Sequence, residues 1–251
     1  MIILTGILAF FSEYLDSALG MGYGTALAPA LIIAGYSPLK VIPAILASQF
    51  VTDIATCFLH HRACNVDLKA SSKDFKVATT LGLISCAGVV TASFAAFHIP
   101  ARALSIYIGL LVTGVGVLIL FQSNKCAVFS WKKISSLSFL AAFNKGISGG
   151  GYGPLVMGGQ ILCGVNTKNA VGITAFAEAL TCLVGFSIYL SMGHGNIDWK
   201  LIGILTAFSL PSIPIATATV KKIQTPHLKK FVAILIILLG ILTLLKVASK
   251  A

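Results

Sequence analysis

Apolar residues in this chain fall in long blocks separated by short polar stretches. Ten blocks stand out, at 2–11, 26–34, 41–59, 77–97, 104–121, 134–143, 154–163, 170–190, 201–220 and 231–247. Several reach the roughly 20 residues that a helix needs to cross the hydrocarbon core, and several are shorter. A transmembrane barrel would need short segments of alternating character, which are absent. The pattern therefore predicts an all-α polytopic membrane protein with about eight to ten hydrophobic segments.

Composition agrees. Hydrophobic residues make up 57% of the 251 and charged residues only 10%, against roughly a quarter charged in soluble domains. The first block has no basic residues before it and is followed by Glu13 and Asp16, so it reads as retained chain and not as a cleaved signal. The net charge of +11 does not point to nucleic acid, because no such motif is present and most Lys and Arg lie between apolar blocks. The implied partner is the bilayer of the inner or plasma membrane, crossed many times. Six cysteines form no C-x-x-C pair and read as small core residues, so no metal site and no cofactor is expected.

The chain also resembles itself. Gly22-Tyr23-Gly24 returns as Gly151-Tyr152-Gly153, an offset of 129 that also sets Gln49 against Glu178. Asn65-Val66-Asp67-Leu68 returns as Asn196-Ile197-Asp198-Trp199, offset by 131, and Gly116 returns as Gly240, offset by 124. The matches keep their order, which divides the chain into a first membrane repeat (1–124), a linker (125–133) and a second repeat (134–251).

Charge then suggests which way up each copy sits. In the first copy the loop after the third block carries Arg62, Lys69, Lys73 and Lys76, while the next carries Arg102 alone. In the second copy Lys200 is alone in the earlier loop, and Lys221, Lys222, Lys229 and Lys230 crowd the later one. Basic loops face the cytoplasm, so the copies are expected to be inverted, with a cytoplasmic linker. Lys246 and Lys250 run against this bias. Inverted repeats are a signature of secondary transporters.

Seven glycines between 146 and 159 would each cost a continuous helix roughly 1 kcal/mol relative to alanine. A break explains them better: Gly149-Gly150-Gly151-Tyr152-Gly153 forms a bend, and Pro154 starts the next segment without needing a donor. Gly20-Met21-Gly22-Tyr23-Gly24-Thr25 repeats the design in the first copy. Unwound backbone at membrane depth survives only where protein or a hydrated cavity satisfies it. There its N–H groups and the positive ends of the following helices attract anions. Gly22, Tyr23, Gly24 and Thr25, with Ser148, Gly150, Gly151, Tyr152 and Gly153, are accordingly candidate substrate-binding residues. Close helix packing is the competing use for such glycines.

The helix after each break carries a polar stripe. Gln49 and Asp53 stand at i, i+4, as do Thr174 and Glu178, so each pair shares a face. Ionisable groups in the bilayer core are expensive and tend to be functional. Gln49, Thr174 and Glu178 join the candidate site, and Glu178 and Asp53 are candidates for coupling to a proton or ion. Glu13, Asp16 and Lys145 also lie in or against apolar blocks, where an interfacial position is the alternative; Lys145 could supply one positive charge.

The glycine breaks, the short segment after each, the Ala/Thr/Ser-rich helix that follows and the small acidic motifs Asn65-Val66-Asp67 and Asn196-Ile197-Asp198 resemble the TauE/SafE family of sulfite and organosulfonate exporters, over nearly the whole chain. Met21 departs from the family's glycine run in the first half. The resemblance implies alternating-access transport of small anions (sulfite, sulfonates or related carboxylates) coupled to an ion gradient, with no enzymatic activity. A homodimer is compatible with it. A passive anion channel is the nearest alternative. An intramembrane serine protease is a more distant one, suggested by Gly146-Ile147-Ser148-Gly149 with Ser148 as nucleophile and His194 downstream.

Overall fold

The computed structural model describes residues 2–121, 131–163, 165–192, 197–220 and 226–249. Among them are eleven helices and no strand: α1 Ile2–Leu19, α2 Tyr23–Ile33, α3 Pro38–Arg62, α4 Lys73–His98, α5 Ala101–Phe121, α6 Trp131–Ser148, α7 Tyr152–Leu162, α8 Thr167–Met192, α9 Trp199–Ser209, α10 Ser212–Val220 and α11 Pro226–Ala248. The helices start where local chemistry favours it. Ser72 accepts from the Phe75 amide at 3.0 Å and Asp198 from the Leu201 amide at 2.9 Å, both N-caps, while Pro38 opens α3 in the first turn. Residues 131–133, expected in the linker, lie within α6. The rest of the linker, with Asn196, Lys221, Lys222 and Lys250, lies outside the described residues.

By length and apolarity, α1, α3, α4, α5 and α8 can each cross a bilayer. The pair α9–α10, bent by 40° at Leu210-Pro211, makes six if it counts as one broken span; a proline at the bend supplies the usual cause. This is fewer than the apolar blocks because α2 and α7 are only 11 residues long, and because α6 and the described part of α11 do not combine the length and apolarity of a full span. Polarity is arranged inside out. Phe11, Phe58, Leu83 and Leu110 are about 60% exposed on the outer surface, while Ser48, Gln49, Asp53, Ser85, Lys145 and Glu178 are buried. That distribution suits a chain whose surroundings are lipid.

Hydrogen bonds and shared clefts fix the directions of the helices. The α2–α3 turn lies beside the start of α5 and the end of α11, where Tyr36, Ser37, Arg102 and Lys246 line one cleft. At the other end of α3, His61, Asn65 and Asp67 line a cleft with Asp74 of α4 and Asn169 of α8. Cys163 and Asn166, in the α7–α8 turn, line another there with Lys73. The α2–α3 and α7–α8 turns therefore sit at opposite ends of α3. Lys246, which ran against the charge bias, is tied to the protein itself. Its ammonium bonds the Ile32 and Ile33 carbonyls at the end of α2, where a cation meets the negative end of the helix.

The packing is exchanged between the halves. α4 of the first half lies on α6 and α8 of the second, and α9 and α10 of the second lie on α1 and α3 of the first. Helices α3 and α8 cross at the centre, and α5 pairs with α11.

Candidate functional site

Two helical hairpins enter the interior and turn back at the glycine breaks. In the first, α1 runs alongside α3 in the same direction: Asp16 accepts from Gln49, and farther on Ser17 shares a hydrogen bond with Thr56 at 2.8 Å and offers its carbonyl oxygen to His60. After Gly20–Gly22 the chain reverses, and α2 returns to the end where α3 begins. In the second, α6 follows α4, with Ser138 and Ser85 sharing a hydrogen bond at 2.7 Å. It then passes Tyr189 of α8, whose hydroxyl donates to the Gly146 carbonyl at 2.8 Å. After Gly149–Gly151, α7 returns to the end where α4 begins. The segments whose path the sequence leaves open thus turn back.

The two breaks touch. A Cβ on Gly24 would overlap the Gly149 carbonyl oxygen, and one on Gly153 would lie 2.5 Å from the Gly20 carbonyl oxygen. These are the same contact made twice, since Gly24 and Gly153 differ by 129, as do Gly20 and Gly149. Only glycine allows backbones this close. Gly22 and Gly151, preceding α2 and α7, hold φ of 145° and 82°, and as glycines they supply no side chain of their own to cap the helices they open.

Beside this contact runs a chain of four buried polar side chains, one from each of α1, α3, α6 and α8. Asp16 Oδ2 accepts from Gln49 Nε2 at 3.2 Å. Gln49 Oε1 accepts from the Lys145 ammonium, and Lys145 Nζ lies 2.7 Å from Glu178 Oε1 in an ion pair. Lys145 is 1% exposed and Glu178 3%. Asp16 Oδ1 also accepts from the Tyr23 amide at 3.3 Å, tying the network to the first turn of α2. The repeat offset recurs: Asp16 and Lys145 are 129 apart, as are Gln49 and Glu178. Carboxylate oxygens of Asp16, Asp53 and Glu178 lie within 4.8 Å of one another.

Sequence reasoning leaves Asp16 and Lys145 outside the binding set, although the offset that pairs Gln49 with Glu178 also pairs them. Of the predicted residues, the structure brings Gln49, Glu178 and Asp53 together around Lys145 and Asp16. Tyr23 and Tyr152 are fully buried and hold helices together: Tyr23 shares a hydrogen bond with Ser48 and Tyr152 with Ser85, each at 2.8 Å. Thr25 Oγ1 accepts from the Gly151 amide at 3.0 Å, so it fastens one break to the other. Thr174 is engaged by Gln160 of α7 at 2.8 Å, although it shares a helix face with Glu178. Ser148 is held by backbone: it donates to the Asn144 carbonyl at 2.7 Å, and the Gly150 amide donates to it at 3.1 Å. That makes it a turn-former; His194, its suggested partner, lies outside the described residues. Protein atoms thus engage several break donors that the sequence pattern offers to an anion, among them the amides of Tyr23, Gly150 and Gly151. His60 serves structure too, its Nε2 being 3.0 Å from the Ser17 carbonyl oxygen.

Comparison with known proteins gives the family. The family model described as "Sulfite exporter TauE/SafE" matches residues 4–243. The chain belongs to that family. A relative, the "Probable membrane transporter protein YtnM" of Bacillus subtilis (strain 168), is 27% identical over 259 residues, covering 97% of this chain and 83% of its own. No solved structure gives a significant match. The TauE/SafE assignment and the relative place this multi-pass chain among membrane transporters, a class that is generally not catalytic.

Proposed function

We propose that this TauE/SafE protein carries small sulfur-containing anions, such as sulfite, sulfonates or related carboxylates, across the cell membrane by alternating access, coupled to a proton or another ion. The observation that supports this most is Lys145, a buried ammonium held between Gln49 and Glu178 where two glycine-broken hairpins meet. An ammonium and the positive ends of α2 and α7 together favour a negative guest, although the Tyr23 and Gly151 amides already have side-chain acceptors. Gly22, Tyr23, Gly24 and Thr25 of one hairpin, and Ser148, Gly150, Gly151, Tyr152 and Gly153 of the other, would frame the site, since their donors largely serve protein acceptors, while Gln49 and Lys145 face the guest and Thr174 stays with Gln160.

In this reading the substrate competes with Glu178 for Lys145. Glu178 is then the natural coupling residue, because an anion arrives easily only when the carboxylate charge is cancelled. The exchanged packing of the halves, and the α2–α3 and α7–α8 turns at opposite ends of α3, support two inverted copies. Inverted copies can trade conformations and open the centre to one side at a time. The bias of basic residues among the loops supports a choice of cytoplasmic side.

The test is flux in proteoliposomes. Sulfite and a small sulfonate are offered with and without an imposed ion gradient, beside Glu178→Gln. The expected result is gradient-driven uptake of at least one substrate, lost in the variant. Flux indifferent to every gradient in both proteins would make it a channel or uniporter.

A further inference from the structure

We infer that Asp16, Asp53 and Glu178 form a binding site for a monovalent cation of sodium's size, the ion that couples transport. This rests on the transporter reading above and names its coupling partner. The three carboxylates come from α1, α3 and α8, so the site closes only where these helices pack together, and their oxygens lie within 4.8 Å of one another. Ligand oxygens of a hard cation stand about 2.3–2.6 Å from it, so two on opposite sides of one ion are about 5 Å apart. The spacing leaves room for one shared ion.

A second observation points to a missing guest. Asp53 is 1% exposed, and its Oδ2 has no hydrogen-bond partner, yet its carboxylate is one of the three that converge. Glu13, one turn before Asp16 on α1, is 0% exposed and also leaves an oxygen, Oε2, without a partner. Buried acceptors without donors are costly, and several like charges more so. Against the carboxylates of Glu13, Asp16, Asp53 and Glu178 stands one ammonium, Lys145, already paired with Glu178. Gln49 donates an amide N–H to Asp16, and Ser17 a hydroxyl to Glu13 at 2.7 Å. With these carboxylates ionised the residual charge would be negative, and Asp53 Oδ2 is the unserved acceptor that belongs to the converging three. A single positive charge suits the site better than a double one, because Lys145 on Glu178 would repel a divalent ion more strongly.

The site also gives coupling a physical route. Glu178 contributes both to the cation site and to the Lys145 pair. A cation drawn to the carboxylates loosens the hold of Glu178 on Lys145 and frees the ammonium for an anion. Asp16 and Gln49 connect the same ion to the first turn of α2, so occupancy is felt at the glycine contact.

Purified full-length protein in detergent tests this without any transport substrate. Thermal unfolding is followed while NaCl replaces choline chloride at constant ionic strength and pH, with KCl and CaCl2 as parallel series, and 22Na+ binding is measured directly. The expected result is a saturable upward shift of Tm with Na+, and 22Na+ binding displaced by unlabelled Na+ but poorly by K+. Asp53→Asn should weaken Na+ affinity at least tenfold while melting cooperatively in choline. Asp16→Asn should also weaken it, as a check that does not depend on one variant folding. Equal melting in Na+ and choline with no 22Na+ bound would overturn the inference. So would a response to Ca2+ alone, or full Na+ affinity in both variants. Anion flux driven by a proton gradient without Na+ binding would remove the cation site and leave the transporter standing. Na+ binding without flux of any sulfur anion would leave the site and remove the substrate.

Discussion

Lys145 sets the charge balance of the interior. It is joined to Glu178 at 2.7 Å with both side chains nearly inaccessible, so removing either partner strands a charge in a low-dielectric core. Breaking a buried pair typically costs about 3–5 kcal/mol, whereas replacing both partners by apolar groups of similar size is often close to neutral. Lys145→Met is therefore expected to lower Tm sharply, because the carboxylates of Glu178, Asp53 and Asp16 are left to repel one another. Glu178→Met should also be destabilising, since Lys145 keeps only Gln49 and more distant acids. The double variant should melt well above Lys145→Met while remaining dead for transport. Thermal unfolding of the three proteins, combined with flux, checks this; a double variant no more stable than the sum of the singles would show that the pair is not coupled.

At the scale of elements, the hairpin contact is the decisive feature, and Gly24 is the place to test it. A methyl there would collide with a backbone carbonyl on the other hairpin, and neither side of the contact has a flexible side chain to yield. Gly24→Ala should abolish transport and lower stability or membrane yield. Gly203→Ala, in α9 where an added Cβ meets nothing within 4 Å, should transport normally, with a gain of up to about 1 kcal/mol from helix propensity. Equal behaviour of the two variants in flux and thermal melts would sink the close-contact role. Much of this is legible in the chain. Blocks of apolar residues mark the helices, and G-G-G-Y-G-P marks the breaks. Gln49 and Glu178 can be found because a polar residue in an apolar helix is conspicuous. Two things are not legible. A short apolar segment has the same hydropathy whether it crosses or turns back, so the hairpins need tertiary contacts such as Tyr189 to the Gly146 carbonyl. The ring of acids around Lys145 depends on how α1, α3, α6 and α8 pack, and spacing along one helix says nothing about approach across four. Asp16 could have been recovered from the offset it shares with Lys145.

For the molecule as a whole, the open question is which end of α3 faces the cytoplasm, because orientation decides what export or uptake means for a coupled carrier. Arg62, Lys69, Lys73 and Lys76 gather where α3 ends and α4 begins, with Lys168 at the start of α8 nearby. Lys40, Arg102, Lys200 and Lys246 mark the other end, but Lys246 is committed to the α2 carbonyls and does not act as a loop charge. Discounting it strengthens the asymmetry, and the positive-inside rule then puts the end of α3 in the cytoplasm. Two cysteine positions read this out. Cys64 is exposed just past α3, and Ser37, exposed just before α3 with no side-chain capping bond to lose, accepts substitution by cysteine. Each is kept as the only cysteine in the chain, expressed in intact cells and treated with a membrane-impermeant maleimide. Ser37→Cys should be labelled at once, and Cys64 only after permeabilisation. The reverse pattern would invert the assignment and the direction of every gradient in the coupling scheme. Labelling of both from outside would be more damaging, because α3 would then not span the membrane. The central site, with its two hairpins approaching from opposite ends, would lose its setting.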